Sequence, residues 1–373
     1  MKLTIERAAL LRALTHVQSV VERRNTIPIL ANVQVEAEAS GRLRLTATDL
    51  DLSVVEDVPA TVGQPGRTTV PAHTLHDIVR KLPDGAEVEL ALDAAKGQVK
   101  LTAGRYASAL SVLPAEDFPE IAEGNLPFAF SLPADELKRL IDKTRFAIST
   151  EETRYYLNGI YLHVAEGPDG RRLRAVATDG HRLARVEADV PEGAAGMPGV
   201  IVPRKAVGEL RKLVDEVDAE VSVALSETKI RFVFGDVVLV SKLIDGSFPD
   251  YERVIPAGND KMVRIDCKPF AAAVDRVATI SSEKSRAVRF SLTDGRLDLA
   301  VTSPDNGSAS EELTVDYEGQ HIDIGFNSRY VLDVAGQIDG DLMELAIADG
   351  ASPVVIRDTA DAGALYVLMP MRI

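Results

Sequence analysis

The sequence predicts an α+β protein built from three similar repeats, and two recurring segments indicate this fold class. A strand-like segment recurs as LRLTATDL (43–50), LRAVATDG (173–180) and LDLAVTSPD (297–305), so its copies lie 130 and then 124 residues apart. A helix-like segment recurs in the same order as VPAHTLHDIVRKL (70–82), VPRKAVGELRKLV (202–214) and FNSRYVLDVAGQI (326–338). Several segments that repeat together at nearly one spacing indicate repeated structural units.

Each repeat also contains an earlier helix with a matching apolar face. Apolar residues three and four positions apart mark one face of a helix. The matching positions are Leu10, Ala13, Leu14 and Val17, then Leu137, Leu140, Ile141 and Thr144, then Phe270, Ala273, Val274 and Val277. The six predicted helices span 6–24, 71–82, 133–148, 203–214, 268–286 and 328–338.

Strands account for the rest of each repeat. Leu173, Ala175 and Ala177 alternate with Arg174, Val176 and Thr178 in the period of a strand. Asp179-Gly180 supplies a tight reversal, and His181 to Val186 can return as the paired strand. Gly, Asn and Pro concentrate in AEGNLP (122–127) and PAGNDK (256–261), a composition typical of linkers. The predicted domains are therefore 1–124, 125–256 and 257–373.

Composition narrows the class of protein. A single cysteine, Cys267, excludes an internal disulfide and favours a reducing compartment. The N-terminal segment MKLTIERAAL carries charges where a signal peptide needs an apolar core, and no apolar run approaches the ~20 residues of a membrane span. We therefore expect a cytoplasmic protein.

Charge is distributed unevenly between the helices and the rest of the chain. The net charge of −15 by itself argues against a nucleic-acid partner. The six predicted helices, however, contain 19 Lys and Arg against 10 Asp and Glu, a net charge of +9 that leaves −24 on the remaining residues. Basic residues share a position off the apolar face of the first helix (His16, Lys143, Arg276), and others share one near the start of the second (His73, Lys205, Arg329). The alternative is an ordinary solvated helix face.

No catalytic pattern accompanies these features. The sequence has no phosphate-binding glycine loop, no HExxH and no paired CxxC, so it predicts neither a metal site nor a cofactor. Asp179 and His181 are close enough for an acid–base pair, but they flank a turn and no Ser or Cys nucleophile adjoins them. We expect no enzyme.

The chain resembles the bacterial sliding clamps, the β subunits of DNA polymerase III. The resemblance covers the whole chain and is most specific at RYYLNG (154–159), TDGHRLA (178–184), IVPRK (201–205), SKLIDGSFPDYERVIP (241–256), GFN with Tyr330 (325–330) and MPMRI (369–373). It implies a head-to-tail homodimeric ring of six DNA-clamp domains, with helices lining the hole and antiparallel sheets outside. Duplex DNA would pass through the hole without sequence readout, a clamp loader would open the ring, and the replicative polymerase would be tethered to it.

The resemblance also implies DNA-contacting residues. The family's positions correspond to Arg24, His73, Glu151, Tyr155 and Tyr156, although Glu151 replaces a neutral polar residue and His73 an arginine. Together with the shared basic positions, the predicted DNA-binding residues are Arg24, His73, Lys143, Tyr155, Tyr156, Lys205 and Arg276.

Two further sites follow from the resemblance. A cleft for short peptides of the polymerase, the loader and other partners would comprise Leu157, Thr178, Gly180, His181, Arg182, Leu183, Pro249, Arg253, Val254, Asn327, Tyr330, Val367, Met369, Pro370, Met371 and Arg372. The dimer seam would comprise Arg105, Leu110, Thr279, Ile280, Glu311 and Glu312. The alternative function is a generic repeat scaffold that binds protein partners without encircling DNA.

Overall fold

A computed structural model of the chain describes residues 1–120, 122, 124–167, 170–217, 219–281 and 286–372. The α-helices in these residues are α1 (Arg7–Gln18), α2 (Ala72–Lys81), α3 (Ala134–Arg145), α4 (Arg204–Val214), α5 (Cys267–Ala278) and α6 (Ser328–Ala335). Each of the three repeats contains two of them, as predicted. Short 3-10 helices are present at Pro28–Ala31, Ala115–Asp117, Glu152–Leu157 and Tyr251–Val254.

Strands make up most of the remaining structure. The strands of the first repeat are β1 (Lys2–Glu6), β2 (Asn32–Glu38), β3 (Arg42–Thr48), β4 (Leu52–Pro59), β5 (Thr61–Gln64), β6 (Gly66–Pro71), β7 (Glu87–Asp93), β8 (Gln98–Ala103) and β9 (Tyr106–Ser111). Those of the second are β10 (Phe128–Pro133), β11 (Gly159–Gly167), β12 (Gly170–Thr178), β13 (Arg182–Asp189), β14 (Val200–Pro203), β15 (Glu220–Leu225), β16 (Lys229–Phe234) and β17 (Val237–Lys242). Those of the third are β18 (Lys261–Asp266), β19 (Ala287–Thr293), β20 (Arg296–Ser303), β21 (Gly307–Thr314), β22 (Ile322–Asn327), β23 (Leu342–Ile347), β24 (Val354–Asp358) and β25 (Ala364–Leu368).

The apolar faces of the first helices are buried as predicted, but these helices end earlier than predicted. Leu10, Leu140 and Phe270 are each at most 2% exposed. After these helices the backbone forms hydrogen bonds between residues three apart. The N–H groups of Val20 and Ala147 donate to the carbonyls of Val17 and Thr144, respectively. Such bonds commonly close the last turn of a helix. Arg24 therefore lies beyond α1, and residues 282–285 of the predicted helix 268–286 lie outside the described residues.

The predicted hairpin is confirmed. Strands β12 and β13 pair antiparallel, with Thr178 opposite Leu183. Gly180 adopts a φ of 86°, a left-handed conformation that glycine accepts without strain. A Cβ atom at this glycine would lie 2.5 Å from Nη1 of Arg154, so a larger residue would require the Arg154 guanidinium to move. The returning strand begins at Arg182, one residue later than predicted.

The chain divides into two compact units. The first contains Met1–Leu137, Pro191–Pro198 and Lys205–Leu243. It holds a five-stranded sheet of order β5-β1-β7-β8-β9 and an eight-stranded sheet of order β10-β15-β16-β17-β4-β3-β2-β6. Within this unit α1 packs on α2 and on strands β3 and β4.

The second unit contains Lys138–Val190, Gly199–Arg204 and Ile244–Ile373. Its eight-stranded sheet has the order β14-β11-β12-β13-β25-β24-β23-β18, and its four-stranded sheet the order β21-β20-β19-β22. Within this unit α5 packs on α6 and on strands β20 and β21.

Each eight-stranded sheet joins strands of two repeats. In the first unit β17 of the second repeat pairs with β4 of the first, and in the second unit β25 of the third repeat pairs with β13 of the second. In the first repeat the strand equivalent to β17 and β25 is β9, and in the third repeat the strand equivalent to β4 and β13 is β21. Both β9 and β21 are edge strands of their sheets. The predicted domain limits stay a prediction, since continuous sheets cross from one repeat to the next.

Candidate functional site

A largely apolar cleft of about 290 Å³ opens in the second unit. Its floor is formed by Leu157, Leu183 and Val367, which are at most 4% exposed. Leu183 lies directly opposite Val367 in the pairing of β13 with β25, so the sheet itself sets their spacing. Met369 and Val254 line the cleft with side chains that are 40% and 48% exposed. Apolar anchors of a short peptide suit such a site.

The rim at Tyr251 is held by a buried polar network. Nη1 of Arg174 donates a hydrogen bond to the Tyr251 hydroxyl at 3.1 Å, and Nε2 of His163 lies 3.0 Å from the same oxygen. Burial and the positive charge of Arg174 lower the pKa of His163 to about 4. The imidazole is therefore neutral near pH 7, and it orients Tyr251 without adding a charge beside the cleft.

Arg182 lines the cleft as a buried, paired cation. Its guanidinium donates to Asp179 at 3.2 Å, to Asp333 at 2.5 Å and to the Phe146 carbonyl at 2.6 Å. The guanidinium carbon also lies 4.4 Å from the centre of the Tyr330 ring. Three of its five N–H donors are used in these bonds, which fix the side chain in the cleft wall.

Arg154 connects the cleft to the neighbouring 3-10 helix. It makes two hydrogen bonds to the Glu151 carboxylate, at 2.8 and 2.6 Å, and a third to the Asp179 carbonyl at 3.1 Å. Tyr156, which lines the cleft, stacks edge-on with the exposed Tyr155 at 5.8 Å between ring centres. One short segment thus joins the predicted DNA-contacting residues to the cleft wall.

Nine of the sixteen predicted cleft residues line the cleft. They are Leu157, Thr178, Gly180, Arg182, Leu183, Pro249, Val254, Val367 and Met369. The structure adds residues that the sequence reasoning missed: Arg154, Tyr156, Asp250 and Tyr251. All four lie within the RYYLNG and SFPDYERVIP segments quoted above, so the family motifs contained the signal although the residues were not assigned to the cleft.

Seven predicted cleft residues do not line the cavity itself. They are His181, Arg253, Asn327, Tyr330, Pro370, Met371 and Arg372. His181 and Tyr330 stack on each other at 6.2 Å between ring centres, behind Arg182. Asn327 caps α6 by accepting a hydrogen bond from the Arg329 N–H, and the Met371 N–H donates to the Gly325 carbonyl at 2.8 Å. Asn327 and the Met371 backbone therefore support the local fold.

The predicted DNA-binding residues differ in their solvent exposure and in their partners within the chain. Arg24 and Tyr155 are exposed, and Tyr156 is half-buried. His73 is half-buried, with Nε2 only 2.9 Å from the Val21 carbonyl. Lys205 forms salt bridges with Glu22 at 3.1 Å and Asp49 at 2.5 Å.

The structure corrects the placement of Lys143. This side chain was predicted to lie off the apolar face of its helix as a DNA contact, but Lys143 is 6% exposed. Its ammonium lies 2.7 Å from Asp339 and 3.2 Å from Asp361. Burial opposes the charge, but the aspartates outweigh it and raise the pKa of Lys143. Lys143 is therefore a buried residue that pairs with aspartates of the next repeat, and we remove it from the predicted DNA-binding set.

His16, at the same helix position, is also buried rather than solvated. Nδ1 forms a hydrogen bond of 2.6 Å with Glu56, and Nε2 lies 3.0 Å from Glu216, close enough for an ion pair but without hydrogen-bond geometry. Burial of the ring opposes protonation, but the two carboxylates outweigh it and raise the pKa of His16. Arg276 differs, since its side chain is 60% exposed and pairs with Glu311 at 2.5 Å.

The predicted seam residues occupy two edge strands and one helix end. Arg105 precedes β9 and Leu110 lies within it, while Glu311 and Glu312 lie on β21. Thr279 and Ile280 follow α5. Both edge strands alternate between exposed and less exposed positions, and β21 shows little full burial.

Comparison with known families identifies the chain. Models of the DNA polymerase III beta subunit match it in three consecutive parts: the N-terminal domain over 1–122, the central domain over 131–250 and the C-terminal domain over 252–372. The chain belongs to this family. The beta sliding clamp of Caulobacter vibrioides is 55% identical over the full length of both chains, and that of Escherichia coli is 40% identical over the same extent.

Solved structures agree with this assignment. A beta sliding clamp from Caulobacter crescentus superimposes with a TM-score of 0.98 at 55% identity, covering 100% of this chain and 99% of its own. A Bartonella birtlesii sliding clamp bound to griselimycin superimposes with a TM-score of 0.97 at 51% identity, covering 100% of both chains. The predicted family and the α+β clamp fold are confirmed.

The part of the chain that the structure describes shows neither a membrane-spanning helix nor a metal-binding cluster. None of the described helices has the length and apolar composition needed to cross a membrane. The described His, Cys, Asp and Glu side chains form no group of three or more arranged to hold a metal ion.

Proposed function

We propose that the chain is a sliding clamp that encircles duplex DNA and tethers the replicative DNA polymerase and other partners, conferring processivity. The observation that carries this proposal is the match to all three domains of one family, with relatives named beta sliding clamp aligned over their whole length. The relatives act as processivity factors, so we assign the chain no catalytic role.

The charge distribution suits such a function. A clamp must hold DNA yet slide along it, which calls for contacts with phosphates and not with base edges. Within their observed bounds the six helices carry 15 Lys and Arg against seven Asp and Glu, so they remain net positive in an acidic chain. Among individual residues we propose Arg24, Tyr155 and Tyr156 as DNA contacts, because they combine exposure with the family positions. The DNA contacts predicted at His73 and Lys205 stay predictions.

We propose that the apolar cleft binds short peptides of the polymerase, the clamp loader and other clamp-binding proteins. Each buried aliphatic anchor would contribute about 1.5–3 kcal/mol. Ordering a flexible peptide opposes this gain, which favours the modest affinity that exchange between partners requires. Partners that bind this same cleft would compete for it.

We further propose a head-to-tail homodimer that closes through the edge strands β9 and β21. The unpaired backbone groups of an edge strand readily accept a partner strand. In both eight-stranded sheets the equivalents of these two edges are already paired, β17 with β4 and β25 with β13. A head-to-tail contact that closes after two copies gives a ring instead of a filament.

The internal sheets also suggest the register of this contact. Glu56, Val186 and Glu311 occupy equivalent positions in the three repeats. They lie opposite Leu45, Ala175 and Leu299, respectively, which share one position in the recurring strand segment. In the first unit Glu56 faces Val237, and the next residue, Asp57, donates its N–H to the Asp236 carbonyl at 3.1 Å. The hairpin residue equivalent to Asp236 is Arg105. The proposed contact therefore places Arg105 beside Glu312 of the partner subunit, a pair of opposite charges.

Retention on DNA tests the proposed function. The protein is loaded onto a nicked circular plasmid by its clamp loader with ATP, and retention is measured before and after the plasmid is cut once. We expect retention on the circle and rapid loss from the linear form. Equal retention on both forms would instead favour the alternative of a partner scaffold that does not encircle DNA.

A further inference from the structure

The basic position shared by the first helices bridges successive repeats. In the first unit His16 of α1 contacts Glu56 of its own repeat and Glu216, which follows α4 of the next repeat. In the second unit Lys143 of α3 contacts Asp339, which follows α6 of the next repeat. Both basic side chains are at most 7% exposed. The same geometric rule therefore operates at both internal junctions.

Arg276 of α5 makes the contact within its own repeat that His16 also makes. Its pairing with Glu311 is equivalent to that of His16 with Glu56, because Glu311 and Glu56 occupy the same strand position, which Val186 fills in the second repeat. What both internal junctions share is a carboxylate from just beyond the following repeat's second helix. Among the described residues the salt bridge of Arg276 is the one to Glu311, and its side chain remains 60% exposed.

The first repeat offers the missing carboxylate. Aligning α2 with α4 makes Asp84 the equivalent of Glu216, three residues beyond the end of α2. The Asp84 side chain is 95% exposed, and Arg7 holds it at 2.6 Å. An aspartate presented in this way can accept further hydrogen bonds, since a carboxylate has about four acceptor sites.

We propose that Arg276 forms an ion pair with Asp84 of the partner subunit, which completes at the dimer seam the charge bridge found at both internal junctions. This inference rests on the proposed head-to-tail dimer. It adds a contact between helix ends to the strand pairing of β9 with β21. Arg276 is thereby assigned to the seam and not to a DNA phosphate.

A double-mutant cycle on the full-length protein tests the pair. Asp84→Asn, Arg276→Gln and the double variant are compared for the dimer dissociation constant, measured by exchange of subunits labelled on an N-terminal tag. Hydrogen bonds to charged groups contribute about 1.5–3 kcal/mol, so each single variant should weaken the dimer about tenfold or more. The double variant should be no weaker than the weaker single variant. Independent effects that multiply, or no effect of either substitution, would overturn the pair.

Crosslinking supplies a readout that a general loss of stability does not mimic. Cys267 is buried, so cysteines introduced at Asp84 and Arg276 can be joined selectively by a short bis-maleimide. We expect a covalent dimer from this variant. The matched control places the second cysteine at Lys268, which is 87% exposed near the other end of α5 and should give no dimer.

The outcomes separate this inference from the function on which it rests. Dimers that persist and remain on circular DNA, without coupling or crosslinking, would refute the Arg276 pair alone. Wild-type protein that is monomeric at micromolar concentration would refute the dimer and the pair together.

Discussion

Arg182 lies over Tyr330, with its guanidinium carbon 4.4 Å from the ring centre, while Asp179 and Asp333 hold the same guanidinium from either side. The contact joins β13 of the second repeat to α6 of the third within one unit. The backbone of residue 182 also belongs to the sheet that forms the cleft floor. The peptide cleft and the junction between these repeats therefore depend on one buried cation.

Substitution of Arg182 by Met should destabilise the second unit. Removing one partner of a buried ion pair costs about 3–5 kcal/mol, because the remaining carboxylates lose their counter-charge. Tyr330→Leu removes only the stacking contact and should cost about 1 kcal/mol. Urea unfolding of the two variants measures the difference, and equal losses would contradict the assigned role of the ion pairs.

The cleft can be tested without disturbing the core. Val254 and Met369 line it while remaining about half exposed, so Val254→Ala with Met369→Ala should leave the free energy of unfolding nearly unchanged. Loss of two apolar contacts should weaken binding of a polymerase-derived peptide by about tenfold or more. Fluorescence anisotropy with that peptide measures the change.

A matched control uses exposed apolar residues outside the cleft. Met262 and Leu342 are 43% and 40% exposed and do not line the cleft. Replacing both by Ala should not alter peptide affinity. A second peptide from the clamp loader should displace the first from the wild-type protein, and simultaneous binding of both would refute a shared cleft.

Lys143 and Arg24 should now give opposite results. Arg24→Ala should reduce the slope of log K against log salt for duplex binding by about 0.9, the effect of one lost phosphate contact. Lys143→Met should leave that slope unchanged and lower the free energy of unfolding by about 3 kcal/mol, because three aspartates surround the ammonium. A reduced salt slope in the Lys143 variant would restore it to the DNA-binding set.

The contrast between these two residues shows what the sequence could predict. Helical spacing correctly identified the buried faces around Leu10, Leu140 and Phe270, because the apolar residues of each face lie three and four positions apart within the helix itself. Lys143 was misplaced because its partners, Asp339 and Asp361, lie about two hundred residues further along the chain and belong to the next repeat. A helical pattern shows that a position is polar, but it does not reveal which carboxylates pack against it.

The cleft is a second case in which contacts between distant segments could not be predicted from the sequence. Leu183 and Val367 were predicted from the resemblance to the family, and both line the floor. Tyr251 was missed because its place at the rim depends on hydrogen bonds with His163 and Arg174, which lie on two other strands. Contacts between distant strands decide which residues of a motif face a cavity.

Protonation of His16 should make the first unit's stability depend on pH. Because Glu56 and Glu216 raise the pKa of His16 in the folded state, its stabilising contribution is fully present below the unfolded value of 6.5. The contribution is lost as pH rises through the elevated folded pKa. The difference in unfolding free energy between wild type and His16→Gln should therefore shrink as the pH rises above 6.5 and through the raised folded pKa. His321→Gln is the control, because His321 is exposed and pairs only with Asp323. A difference that grows with pH would contradict this assignment.

Glu151 should restrain Arg154 and weaken the interaction with DNA. The two hydrogen bonds between them pair the Glu151 carboxylate with Arg154, a cation that lines the cleft next to the exposed Tyr155. Glu151→Gln removes a negative charge from a surface proposed to face phosphates and releases Arg154. We expect tighter duplex binding and a steeper log–log salt slope, by up to about 0.9 if Arg154 gains one phosphate contact.

The neighbouring carboxylate provides the matched comparison for this variant. Glu152→Gln changes the net charge equally on an exposed residue of the same segment, but it leaves the Glu151–Arg154 pair in place. If general charge alone governs DNA affinity, both variants should bind with the same slope. A steeper slope in Glu151→Gln alone, together with altered peptide affinity at the cleft, would show that this ion pair links the DNA-contacting segment to the partner site.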